Sequence, residues 1–301
     1  MSRYPIFLSG VACIALLAST TPAYAQSSPG SLIANITTVL ERLQSYIESS
    51  SQLAAVGADD TAQTTTTITD YGITWHFAEP VEYGQYVTGD YWVKGPVTIT
   101  QITPDAADGH HGWDVNPDSS NQPYDDRIFG YQASLQPSLP YSALPGDSVA
   151  KTVSLDLDDQ GCRPCLKEAS VLTVVAEEPP ADAFRPAYAG SDKEVYRVSD
   201  LDLSKLPQTP VSTDLSAKLA ERTQSFDRFW LDHRTGWSGR HMHPKDHMPD
   251  YGGHMAHQTG EAGVLLMLDF TEEEKLPLLQ NYMQYAIDLE GMMLGADTTF
   301  P

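Results

Sequence analysis

GITWHFAEPVEYGQYVTGDYWVKGPVTIT, residues 72–100, is dominated by Val, Ile, Thr, Tyr and Trp and punctuated by Gly, Pro and Asp. That composition predicts successive β-strands, in GITWHF, GQYVTGDYWVKG and PVTITQI, separated by turns. The texture runs on to about Val175 through RIFGYQASL (127–135), KTVSLDLD (151–158) and ASVLTVV (169–175). In KTVSLDLD, Val153, Leu155 and Leu157 alternate with Ser154, Asp156 and Asp158, the period of a half-buried strand. About six or seven strands with no helical period between them predict an antiparallel β-sandwich over residues 66–178. Trp75, Tyr83, Tyr86, Tyr91 and Trp92 fill its core or line a sugar-binding face, the core being the commoner use of such rings.

Upstream, residues 1–25 carry Arg3, an apolar run from Val11 to Leu17 and the small-residue pattern Ala23-Tyr24-Ala25, which predicts a cleaved secretory signal and a secreted or periplasmic protein. No later run approaches the roughly 18 apolar residues of a membrane span. Residues 26–65 divide into a helix opened by Ser31, with Leu32, Ile36, Val39, Leu40, Leu43 and Ile47 at helical spacing, and a Ser/Thr-rich linker. The formal net charge of −22 disfavours nucleic acid and anionic lipid as partners. Oligomeric state is not encoded in any of these patterns.

Downstream, Pro179, Pro180, Pro186, Pro207 and Pro210 mark a connector over 179–212, expected to pack through Phe184, Tyr188 and Tyr196. Helical period starts near Thr213, where Leu215, Leu219, Phe226, Phe229 and Trp230 form a stripe, and resumes over 254–268 and from Thr271. Thr271 and Glu274 predict a capping box, while Pro277 predicts a later start or a kink. The fold expected is therefore multidomain α and β, an antiparallel β-sandwich followed by an incomplete all-α domain over 213–301.

Six of the nine histidines fall between His233 and His257, in HRTGWSGRHMHPKDHMPDYGGHMAH. Imidazole supplies general acids and bases, metal ligands or a pH-dependent positive patch. Gly236, Gly239, Pro244, Pro249, Gly252 and Gly253 make the segment a structured loop between helices, a common seat for functional groups. His254 and His257 share a face at a helix start, and Tyr251 lies three residues before His254. His243 and His247 have zinc-peptidase spacing, but Pro244 stands where the glutamate belongs. Catalysis or substrate binding, structural packing, and a metal site on His241, His243 and a carboxylate all stay open.

Cys162 and Cys165, as CRPC, predict a local disulfide or free pair that braces a loop; a zinc site would need a second pair. Asp114, Asn116, Asp118 and Asp125 imitate a calcium loop imperfectly, since Ser119 replaces the glycine and Pro117 and Pro123 stiffen the turn. A solvated acidic loop is expected there, and no cofactor.

The stretches 72–100, 171–196 and 230–270 resemble large secreted bacterial proteins that join a β-sandwich to an (α/α) toroid, as in polysaccharide lyases and some glycoside hydrolases. That resemblance implies a polysaccharide partner and a lyase-like, carbohydrate-degrading activity. By analogy Tyr251 or His254 would be the base, and Arg240 or His241 would neutralise a uronate carboxylate. Trp237 would stack on sugar, with His243, Asp250 and His257 completing the substrate-binding set. With only three or four helices, the chain is expected to be a C-terminally truncated toroid, a fragment of a larger carbohydrate-degrading enzyme that lacks part of the groove. A non-catalytic carbohydrate-binding or surface protein, and a periplasmic metal-binding protein, are the competing expectations.

Overall fold

A computed structural model describes residues 63–118, 121–156, 162–227, 230–231, 233, 238–243 and 251–295, all within one compact unit, Ala62–Pro301. The expected signal peptide and N-terminal helix lie outside the described residues. The chain is α+β: a curled, mixed β-sheet, a half-barrel, with a few helices against it.

The strands are β1 (Thr64–Asp70), β2 (Ile73–Gln85), β3 (Tyr91–Lys94), β4 (Val97–Thr103), β5 (Trp113–Val115), β6 (Tyr141–Ala143), β7 (Ser148–Ser154) and β8 (Leu166–Val175). They follow the order β5-β7-β8-β3-β2-β4-β6, with β1 paired to β2. Every pairing is antiparallel except β3 with β8. Instead of two separate antiparallel layers, one hydrogen-bonded path joins all the strands. The reason lies in β2, which pairs with β1 at both Ile73–His76 and Val81–Glu82, with β4 over Thr74–Phe77 and with β3 over Tyr83–Gln85. Register shifts between His76 and Phe77 against β4, and between Thr65 and Thr67 on β1, bend that long strand.

Local chemistry explains the hairpins. Tyr71 and Gly72 both have positive φ, which suits the two-residue turn that returns β1 into β2. Gly84 faces Trp92 across the β2–β3 pair, and a Cβ there would meet the indole at 2.4 Å. Trp75, Tyr86 and Trp92 are buried, so most of the expected aromatic face is core, while Tyr83 and Tyr91 are half-buried.

The curl encloses Ile73, Trp75, Phe77, Val93, Ile99, Trp113, Val149 and Leu172. On the other face of β7 and β8, Ala150, Val171 and Ala169 pack with Tyr188, Leu231, Met242 and Met292. Strand β7 is thus covered on both faces, and only Val153 of its seven residues is less than buried. The alternation in KTVSLDLD suggests a solvated face that the helical layer in fact covers. RIFGYQASL is not a strand either. It forms turns and a short 3₁₀ segment, Ala133–Leu135, with Ile128 buried and Phe129 78% exposed.

The helices are α1 (Ser216–Phe226), α2 (Gly239–Met242), α3 (Tyr251–Leu266) and α4 (Glu272–Gly295). Leu219 and Phe226 of α1 pack with Trp230, Leu265 and Leu278; Phe229 lies outside the described residues. The capping box forms as expected: Thr271 N–H donates to Glu274 at 2.8 Å and Glu274 N–H to Thr271 Oγ1 at 3.2 Å. Helix α4 nevertheless runs from Glu272 straight through Pro277, so the expected later start does not occur. In the connector, Phe184 and Tyr188 are buried as expected and Tyr196 is half-buried. Gly291 allows α4 to approach it closely, since a Cβ there would lie 2.1 Å from that of Ala187.

Candidate functional site

The single turn of α2 is the part of the histidine segment most firmly tied to the sheet. Met242 enters the apolar cluster that contains Cys162, Cys165 and Leu166, and the Cys165 N–H donates to the His241 carbonyl at 2.9 Å. Cys162 and Cys165 are joined by a disulfide, so the loop-bracing expectation holds. The Cys165 carbonyl in turn accepts from the Leu155 N–H at 2.7 Å and from Arg127 at 3.3 Å. This closed loop and the α2 turn therefore share one hub, Cys165.

On that turn, Arg240 is buried and His241 is half-buried, with no hydrogen-bond partner at either ring nitrogen. Burial, then the positive charges of Arg240 and Arg163, hold the His241 imidazole below its ordinary range. The result is a neutral imidazole at neutral pH beside two guanidinium charges, in a chain that is otherwise strongly acidic. Arg163 is exposed, at the tip of the disulfide loop.

The other histidines do different work. His243 is fully buried, its ring 4.1 Å from that of Trp230 in an edge-on contact. Trp230 stacks on Phe226 at 5.2 Å and donates to the Ser225 carbonyl. That is a packing environment. His233 is also buried, between Tyr124 and Tyr188 with ring centres 5.7 and 5.9 Å away. Tyr188 Oη lies 3.4 Å from His233 Nδ1, while the Tyr124 hydroxyl is buried without a partner, and burial pushes it well above its ordinary range.

His254 is half-buried in the first turn of α3 and its Nδ1 has no partner; His257 is exposed. Among the described contacts nothing links either of them to His241. Trp237, Asp250 and the side chain of Tyr251 lie outside the described residues. Two contributors escaped the sequence reading. Arg163 precedes His241 by 78 positions, and the hydrogen bond from Cys165 to the His241 carbonyl joins the disulfide loop to the α2 turn. Tyr124 sits in a Pro- and Asp-rich loop with no spacing signal.

Three of the four calcium-like residues have partners of their own. Asn116 bonds Asp147 and Ser148, Asp114 accepts from the Val115 N–H, and Asp125 is held through both oxygens by Arg127 at 2.8 and 2.7 Å. Among the described residues, His110, Asp125 and Asp126 gather ligand atoms within 4.8 Å, but the Arg127 guanidinium already neutralises Asp125. No described helix is long and apolar enough to cross a membrane.

A depression of about 440 Å³, lined by no histidine, lies on the sheet between Glu79, Glu82, Lys94, Pro96 and Thr98. Its one described cation, Lys94, is paired with Glu82 at 2.8 Å. No protein family, no curated protein and no solved structure matches this chain.

Proposed function

We propose that this is an exported protein that acts on an anionic polysaccharide, cleaving uronate chains by β-elimination. The observation that supports this reading is His241: a half-buried imidazole whose two ring nitrogens are buried without a hydrogen-bond partner, kept neutral by burial and by the charges of Arg240 and Arg163. β-Elimination needs a neutral base and a nearby cation. The base takes the proton α to the carboxylate, the bond from the β-carbon to the departing sugar oxygen breaks, and a carbon–carbon double bond forms as that oxygen takes a proton from solvent. The cation stabilises the enolate-like charge that develops on the carboxylate. In this reading His241 moves from neutraliser to base, and Arg240 keeps the neutralising role. The curled sheet would be the sandwich module and α1–α4 part of an (α/α) toroid.

The direct test is to incubate the full chain with a panel of polyuronates and follow the ultraviolet absorbance of unsaturated uronate ends. Absorbance growth that is lost in His241→Ala supports the reading. No growth on any polymer removes it.

Sugar binding without cleavage is favoured by a different observation. Tyr83 and Tyr91, neighbours on β2 and β3 with ring centres 6.4 Å apart, keep part of their rings at the surface. Glycan binding that disappears in Tyr91→Ala, with no cleavage by the parent protein, would establish that alternative.

A further inference from the structure

His111, outside the histidine segment, is held by β7 at three of its atoms. Its backbone N–H donates to Ser154 Oγ at 2.9 Å, its ring Nδ1 accepts from the Ser154 N–H at 3.0 Å, and its carbonyl accepts from the Lys151 ammonium. Lys151 and Ser154 are buried and His111 is half-buried. The backbone of His111 lies in the left-handed region, with φ of 55°, a conformation that a residue with a side chain keeps only where its surroundings impose it. Here the bonds to Ser154 and Lys151 impose it.

That arrangement fixes the protonation state of the ring. A backbone N–H can only donate, so Nδ1 must offer a lone pair and the single ring proton sits on Nε2. Protonating Nδ1 would set one N–H against another and break the bond. The groups around the ring mostly oppose that proton: burial first, then the charge of Lys151 on β7 and of neighbouring His110, with Arg127 adding to them and Asp125 alone acting against them. Asp125 is itself held by Arg127, and His110 faces Asp126 at 3.6 Å.

The residues on either side are tied by groups that do not titrate. The Gly109 carbonyl accepts from the Asp126 N–H at 2.9 Å. Gly112 donates to the Tyr124 carbonyl at 2.9 Å, and its own carbonyl accepts from the Thr152 N–H and hydroxyl, each at 3.1 Å. A change of charge on the ring therefore acts on His110 and His111, between two fixed points.

We infer that His111 is an acid-sensitive clasp: its neutral ring locks the 109–112 turn onto the end of β7, and protonation at Nδ1 releases it and takes the His111 carbonyl away from the buried Lys151. Because the folded ring binds a proton less readily than a free imidazole, the clasp contributes fully above about pH 6.5 and is lost as the pH falls below that value. The device is independent of what the protein acts on.

The test is hydrogen exchange of the full chain, read by NMR at single amides and corrected for the intrinsic effect of pH. Between about pH 7.5 and about pH 5, protection of the Ser154 amide should fall by about tenfold or more, the equivalent of one pKa unit, while the Trp75 amide in the core keeps its protection. His111→Asn tests the cause. Its side-chain oxygen can take the place of Nδ1, asparagine tolerates the left-handed backbone, and it does not titrate, so this variant should keep Ser154 protected at the acid end. Full protection of Ser154 in the parent down to about pH 5 overturns the inference, and so does a loss shared equally by Trp75, which would be global unfolding. Equal loss in His111→Asn and the parent would assign the response to another group. The ring signals of the parent give a check that needs no variant: a neutral-pH proton on Nδ1 instead of Nε2 would also overturn it.

Discussion

Arg185 grips Asp288 through two parallel hydrogen bonds, Nη1 to Oδ1 at 2.9 Å and Nη2 to Oδ2 at 2.6 Å, with both side chains buried. Its Nε faces Asp90 at 3.2 Å, so a single guanidinium ties the connector to α4 and to the β2–β3 turn. Burial works against that charge, and Asp288 and Asp90 outweigh it, so Arg185 stays protonated. Asp288→Asn keeps the shape and removes a charge. It is expected to cost about 3–5 kcal/mol, the penalty for breaking one partner out of a buried pair. Urea unfolding measures this directly, and a loss below about 1 kcal/mol would show that the pair does not hold the helices to the sheet.

Two histidines in one short segment should separate cleanly on substitution. His241→Ala should leave the melting curve nearly unchanged and lower polyuronate cleavage by about 10²–10⁴-fold, the usual contribution of a general base. His243→Ala removes a ring packed edge-on against Trp230 and should cost about 2–4 kcal/mol of stability. The opposite pattern would exchange their roles.

Because His241 acts neutral and its pKa lies below the ordinary imidazole value, cleavage should be lost only as the solution is acidified below about pH 6.5. A pH profile of kcat/KM reads the limb. Arg163→Gln should move that limb to higher pH, since removing a like charge lets the imidazole protonate more readily.

Two buried groups predict an unusual dependence of stability on pH. Burial lowers Lys151 to about 7, against a weaker opposing effect of Asp105, although its ammonium donates to the His111 carbonyl. Between that value and the ordinary lysine range the unfolded chain binds more protons, so this residue makes stability rise with pH. Burial raises Asp114 to about 7, opposed by the Val115 N–H and reinforced by Asp118. Between the ordinary carboxylate value and about 7 the folded protein binds more protons, so this residue makes stability fall with pH. Asp114→Asn should therefore stabilise the protein above pH 7 and change little near pH 4, while Lys151→Met should help most below pH 7. Urea midpoints across that range decide both.

Gly291→Ala should destabilise by about 1–3 kcal/mol, the range for overpacking, because the added methyl meets Ala187 and one of the two segments must retreat. The exposed Gly260→Ala on α3 meets nothing and should be neutral or slightly stabilising. A pair of thermal melts tests the contrast.

Local chemistry carried the sequence reading where a short stretch decides its own structure. The Thr271–Glu274 cap, the strand at ASVLTVV and the stripe Leu215, Leu219, Phe226 depend on neighbours within a turn or two. Burial of β7 on both faces did not show in its alternation, because the second cover comes from Tyr188, Leu231, Met242 and Met292, far away in sequence. RIFGYQASL has strand-like residues, yet Gln122 draws it into a turn by donating to the carbonyls of Asp125 and Ile128. The density of histidines located a region, but which imidazole is buried and which is open depends on Trp230 and on the Cys165 hub. Arg163 had no sequence signal at all, since the disulfide loop that carries it is joined to the α2 turn by one backbone hydrogen bond across the fold.

The bent strand β2 has a consequence for how this molecule opens. The strand pairs with β1 near both of its ends and with β4 in its N-terminal half, and its C-terminal end pairs with β3, which in turn holds β8. Releasing β2 would strip partners from both arms of the curl at once, so partial opening along it gains little. The amides of Thr74, Trp75 and His76, which lie between β1 and β4, should be among the last to exchange with heavy water, at nearly equal rates set by global unfolding.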